Sequence, residues 1–173
     1  NMLIRSSLPD VSLYANVGKQ NVFSRMLKRF GYDFHNAFAD LAVSRKEGIN
    51  GRLSIDSLVA SGMQIDTIRM AFTSDSVKTN FEGQIRNNRS NPQFVFNVQM
   101  RGAVTKESIY LGTRVYDGRD RLGIALGLKA DMQPGGVKMS LGGIDPVLGY
   151  KKFKVNKDNY VFFAENKRIS ADM

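Results

Sequence analysis

Val77-Lys-Thr-Asn-Phe-Glu-Gly-Gln-Ile-Arg86 decides the reading of this chain. Val77, Thr79, Phe81, Gly83 and Ile85 fall on one side of an extended strand; Lys78, Asn80, Glu82, Gln84 and Arg86 fall on the other. A period of two is the period of a pleated strand with one apolar and one polar face. The same period recurs on both sides of this stretch. Before it stand Leu53 and Ile55, then Met63 and Ile65, then Ile68, Met70 and Phe72. After it come Phe94, Phe96, Val98 and Met100, then Ile109, Leu111, Thr113 and Val115. Leu122, Ile124, Leu126 and Leu128 follow, then Val137, Met139 and Leu141. Phe153 with Val155, Val161 with Phe163, and Ile169 with Ala171 and Met173 complete the series.

Turn-forming residues separate these runs. Ala60-Ser-Gly62, Ser74-Asp75, Asn87 to Pro92, Asp117-Gly-Arg-Asp120, Gln133-Pro-Gly-Gly136 and Asn156-Lys-Asp-Asn159 supply them. Consecutive strands on short loops pair antiparallel, as a meander. The expected fold is therefore mainly β, a long antiparallel meander sheet. Its apolar face must be covered somehow. A barrel or sandwich would close it on protein; a curled sheet would close it on something else. Periodicity is compatible with both.

The N-terminal segment, residues 1–50, reads differently from the sheet segment, 51–173. Extended pieces over 2–17 break at Pro9. Phe23, Met26, Leu27 and Phe30 sit at i, i+3, i+4 and i+7, which predicts a short amphipathic helix over about 21–30. Asn21 suits its cap and Gly31 its end. Phe34, Phe38 and Leu41 fit either a continued helix or the first strand.

Composition narrows the chemistry. The 173 residues include no Cys and one His, so thiolate-rich and multi-histidine metal sites are excluded. Gly135-Gly136 and Gly142-Gly143 lack the spacing of a phosphate loop. Carboxylates are scattered, and Asp117 and Asp120 bracket a turn. No catalytic set, cofactor site or metal site is expected. The formal charge of +9 favours anions, head groups or nucleic acid alike. Phe81, Phe94 and Phe96 belong to the apolar side, whereas nucleic-acid platforms expose their aromatics, so no nucleic-acid partner is expected. No apolar run reaches the length of a membrane-spanning helix. The start at Asn1 without an apolar leader suggests a fragment of a longer protein.

Gly51-Arg-Leu-Ser-Ile-Asp-Ser-Leu-Val-Ala-Ser-Gly-Met-Gln-Ile-Asp-Thr-Ile-Arg-Met-Ala-Phe72, continued through Val77 to Ile85, resembles the repeats of TamB-like and wider AsmA-like envelope proteins. Leu122-Gly-Ile-Ala-Leu-Gly-Leu128, Gly136-Val-Lys-Met-Ser-Leu141, Phe153-Lys-Val-Asn-Lys-Asp-Asn-Tyr-Val-Phe-Phe163 and Arg168-Ile-Ser-Ala171 resemble the C-terminal part of that family. Phe153 stands where Trp is common. The likeness spans residues 45–173, and its style looks like that of a Bacteroidetes member.

The resemblance implies a periplasmic body that curls into an open apolar groove. It also implies an inner-membrane anchor elsewhere in the full protein of a Gram-negative bacterium. It implies a role in outer-membrane biogenesis, with phospholipid acyl chains as cargo and an outer-membrane assembly barrel protein as partner. On that basis Ile55, Ile65, Phe81, Phe96, Val98, Leu111, Ile124, Leu126 and Met139 are the candidate lipid-groove residues, with head groups near a basic rim. Two other classes remain open. One is a closed structural or adhesion β-sandwich. The other is a glycan-binding or hydrolase β-domain, with a cleft around His35 or Asp117.

Overall fold

A computed structural model describes residues 9–165 and 168–172. The extended piece expected before Pro9, the Phe23 side chain and Met173 lie outside them. Strand β1 (Val11–Gly18) leads into helix α1 (Val22–Arg29), then β2 (Tyr32–Asp33), β3 (Asn36–Ser44) and β4 (Gly48–Ala60). The meander continues through β5 (Met63–Ser74), β6 (Thr79–Asn87), β7 (Phe96–Val104), β8 (Ser108–Asp117), β9 (Leu122–Gln133) and β10 (Gly136–Leu141). Two short pairs end it: β11 (Val147–Leu148) with β12 (Lys151–Lys152), and β13 (Tyr160–Ala164) with β14 (Ile169–Asp172).

All fourteen strands belong to one antiparallel sheet, ordered β1-β3-β4-β5-β6-β7-β8-β9-β10-β13-β14. Among the described residues the sheet does not close: its main path ends at β1 and β14, with β2 on β4 and β11 with β12 beside β9 off that path. The closed-sandwich alternative is therefore not the fold of the described chain. Only Phe34, Ala125 and Val147 are buried apolar residues among those described. A compact monomer of this mass would expose about 8,500 Å²; this chain exposes 11927 Å². One layer without a second is the physical reason.

The sheet also begins earlier than residue 51, since β4 spans that boundary and β1 and β3 precede it. In β3, Ala37, Ala39, Leu41 and Val43 take up the apolar phase, and small alanines carry little of that signal in sequence. Helix α1 starts at Asn21, whose Oδ1 accepts from the Ser24 N–H at 2.8 Å.

Two irregularities shape the pairing. The chain from β2 to β3 follows one edge of β4, interrupted at Phe34-His35, where the His35 N–H donates to the Asp56 carbonyl. Ser57 on β4 takes a left-handed backbone there. The chain from β10 to β11 likewise follows one edge of β9, interrupted at 142–146. Gly51 also departs from extended geometry, at φ 130°, and a Cβ there would strike the Asp40 carbonyl.

Candidate functional site

Antiparallel register sorts the side chains into rows that cross the sheet, because directly opposed residues share a face. One row runs Ile55, Ile68, Ile85, Val98, Val115 and Ile124. The next runs Leu53, Met70, Gly83, Met100, Thr113 and Leu126. A third runs Phe72, Phe81, Gly102, Leu111, Leu128 and Leu141. A fourth joins Ile109, Ala130, Met139 and Val161. Phe96 shares the face of Val98, two residues along β7.

Eight of the nine candidates thus lie on one face: Ile55, Phe81, Phe96, Val98, Leu111, Ile124, Leu126 and Met139. Register does not bring Ile65 into these rows. It opposes Leu58 and stands three positions from Ile68, so alternation turns it to the other face. The sequence run Met63, Ile65, Ile68 hides that change of phase. Ile68, Met70, Phe72 and Leu128 belong to the same face beside the candidates. The signal that finds them is the register, which fixes which runs are in phase.

Most of these side chains are half-buried, and Ile124 is 40% exposed. Large residues fill gaps left by glycines. The Phe81 ring occupies the space a Cβ on Gly102 would need, and the Met100 methyl lies 3.1 Å from the Cβ position of Gly83.

The opposite face is polar, with Arg52, Arg69, Arg86, Arg101 and Arg114 on β4 to β8. These cations point away from the apolar rows, so they do not form a head-group rim for them. A concavity of about 620 Å³ on this polar side is lined by Arg52, Arg69, Glu82, Gln84, Asn16 and Phe38 among others. Beyond β8 the polar face is covered: the 142–146 segment packs on Gly112 and Gly127, with Ile144 and Tyr110 against them.

Polar hubs tie down one rim. Asp117 accepts from the Arg121 and Arg119 backbone N–H groups at 3.0 and 2.9 Å, from the Arg121 guanidinium, and from the Tyr150 hydroxyl at 2.9 Å. These donors, the Arg121 N–H foremost, hold its carboxyl far below the ordinary carboxylate range. Arg89 reaches Asp120 across the same rim at 3.7 Å. Asp66 is a second hub. Burial acts to raise its pKa, but the Asn88 N–H and the Gln64 and Asn91 amides outweigh that and lower it. Asn87, 1% exposed, accepts from the Asp66 N–H and donates to the Gln64 carbonyl, extending the ladder with a side chain.

Asp117 is engaged by Arg119, Arg121 and Tyr150, and His35 is an exposed residue between β2 and β3. No cluster of three potential metal ligands occurs among the described residues. No described helix is long and apolar enough to cross a membrane. Comparison with protein-family models, curated proteins and solved structures found no match to this chain.

Proposed function

We propose that this chain is a non-catalytic segment of envelope biogenesis whose apolar face shields lipid acyl chains. One observation carries the reading: the apolar rows continue across β4 to β10, and among the described residues no second layer lies over them. An exposed apolar surface of this extent marks an interaction surface. The resemblance of residues 45–173 to TamB-like proteins supplies the cargo, phospholipid moving between inner and outer membranes. It also supplies the location, a periplasmic body of a protein anchored in the inner membrane. Assistance to outer-membrane protein assembly belongs to the same reading.

Each buried methylene contributes about 0.8 kcal/mol, so a sixteen-carbon chain gains on the order of 10 kcal/mol before ordering costs. In this reading the acyl chain lies over the Ile55–Ile124 and Leu53–Leu126 rows, and the curl of the sheet around it makes the groove. Head groups stay at the sheet margin, where Arg89, Arg119 and Arg121 sit on the loops after β6 and β8.

The test is mass spectrometry of lipid carried through detergent-free purification from a bacterial envelope. Wild type is expected to retain phospholipid, and Phe96→Asp with Leu126→Asp to lose it while keeping the β-sheet circular dichroism signal. Wild type free of lipid, or equal retention by the variant, would overturn the reading.

A further inference from the structure

The polar face carries a cluster of arginines that acyl-chain shielding does not use. Arg52 stands between Asp40 and Ala71, Arg69 between Ser54 and Gln84, Arg101 between Glu82 and Gly112, and Arg114 between Gln99 and Ala125. Among the described residues, salt bridges engage Lys28, Arg89, Arg121 and Lys129, and none engages these four arginines. Arg52 and Arg69 are diagonal neighbours on β4 and β5; Arg101 and Arg114 are diagonal neighbours on β7 and β8. Like charges so placed repel. Glu82 and Asp40 are the carboxylates among them, leaving the cations in excess.

The four arginines line two adjoining concavities. That of about 620 Å³ takes Arg52 and Arg69; another, of about 260 Å³, takes Arg101 and Arg114; Glu82 and Gly83 line both. The trough crosses β1 and β3 to β8 and stops where Ile144 and Tyr110 pack over Gly112. Seven strands at their usual spacing make it about 29 Å long.

The lining states the ligand's chemistry. Guanidinium forks bind phosphate or carboxylate bidentately. The Arg52 guanidinium stacks 5.1 Å from the Phe38 ring centroid, which orients its fork. Asn16, Asn36 and Gln84 line the first concavity and Gln99 the second; each amide both donates and accepts, as hydroxyls require. Single-stranded nucleic acid would instead need free aromatic platforms, and Phe38 is taken up by Arg52 and by the edge of Tyr14. We propose that the trough over Arg52, Arg69, Arg101 and Arg114 binds an acidic oligosaccharide. Its phosphate or carboxylate groups sit on the arginines and its hydroxyls on the amides.

The test is calorimetric titration of the full chain at low ionic strength with four probes. Oligogalacturonate presents carboxylates, glucose 1,6-bisphosphate presents phosphates, maltotetraose is neutral, and a short single-stranded DNA is the competing polyanion. At least one acidic saccharide is expected to bind, and which one separates the two anion sources. Arg69→Gln and Arg101→Gln should each weaken it about ten-fold, and Lys106→Gln, on a turn at the sheet margin, should leave it unchanged. Should Arg69→Gln fail to fold, Arg69→Lys keeps the charge, loses the fork, and should still weaken binding. No binding of either acidic saccharide, equal binding of maltotetraose, DNA binding as tight or tighter, or indifference to both arginine substitutions would each overturn the proposal. Lipid retention is expected to be untouched by Arg69→Gln, so this surface and the lipid reading stand or fall separately.

Discussion

Phe81 lays its ring over Gly102 on the neighbouring strand, where any Cβ would collide both with that ring and with the Tyr110 carbonyl. The pair lets an aromatic side chain lie flat along an open sheet, covering backbone that no second layer covers. Gly102→Ala is therefore expected to lower stability by about 1–3 kcal/mol, the usual cost of overpacking. Phe81→Ala in the same chain should restore only part of it, because the Tyr110 carbonyl remains in the way. Urea unfolding of the two single variants and the double variant measures this. Full restoration would show that the ring alone excludes the Cβ.

A second expectation concerns side-chain amides that act as strand extensions. Asn87 meets Asp66 and Gln64 in this way, and Asn159 does the same to Leu141, accepting from its N–H at 2.8 Å and donating to its carbonyl at 2.9 Å. Both asparagines are buried. Alanine at either site takes both side-chain partners from part-buried backbone groups, and is expected to cost about 1–3 kcal/mol. Hydrogen exchange should then accelerate locally: at Asp66 in Asn87→Ala, and at Leu141 in Asn159→Ala. Unchanged exchange at those amides would sink the idea.

Acid should loosen the rim around Asp117. Its folded pKa is depressed, so the stability it contributes is present above the unfolded value near 4 and is lost as pH falls through the folded one. Asp66 is shifted in the same direction. Thermal midpoints are expected to fall below about pH 4. Asp117→Asn should show a shallower fall over that range, having no carboxylate left to protonate. An identical pH profile in the variant would remove Asp117 from the account.

The strands from β5 to β10 were legible because Phe81, Val98, Leu111 and Leu126 recur at period two between turns that Asp75, Thr105 and Asp117 close with their own side chains. Register was not legible, since alternation within a strand says nothing of which partner residue stands opposite. Alternation alone therefore groups Ile65 with Ile55, and only the register separates them. Ala37 and Ala39 concealed β3 because small residues mark an apolar face weakly, while Phe34, Phe38 and Leu41 imitated helical spacing. Phe38 in fact faces the polar side, under Arg52. The arginine surface carried the same period-two signal as the apolar face. Its concavity depends on how neighbouring strands twist against one another, and no single strand encodes that.

The two faces make opposite predictions for an added amphiphile. If acyl chains occupy the apolar rows, palmitate binds the folded sheet and stabilises it by mass action, about 2.7 kcal/mol at a hundred times its Kd. For a chain of this size that raises the thermal midpoint by roughly 5–10 °C. Val98 lies between Ile85 and Val115 in the middle of the Ile55–Ile124 row, so Val98→Asp should abolish the rise. Arg69→Gln, on the other face, should leave it intact. Were the apolar rows instead packed against protein, palmitate would act as a denaturant and lower the midpoint, and Val98→Asp would unfold the chain outright. A scan of the three proteins with and without palmitate separates these outcomes, because only an open face gives a rise that one substitution removes and the other spares.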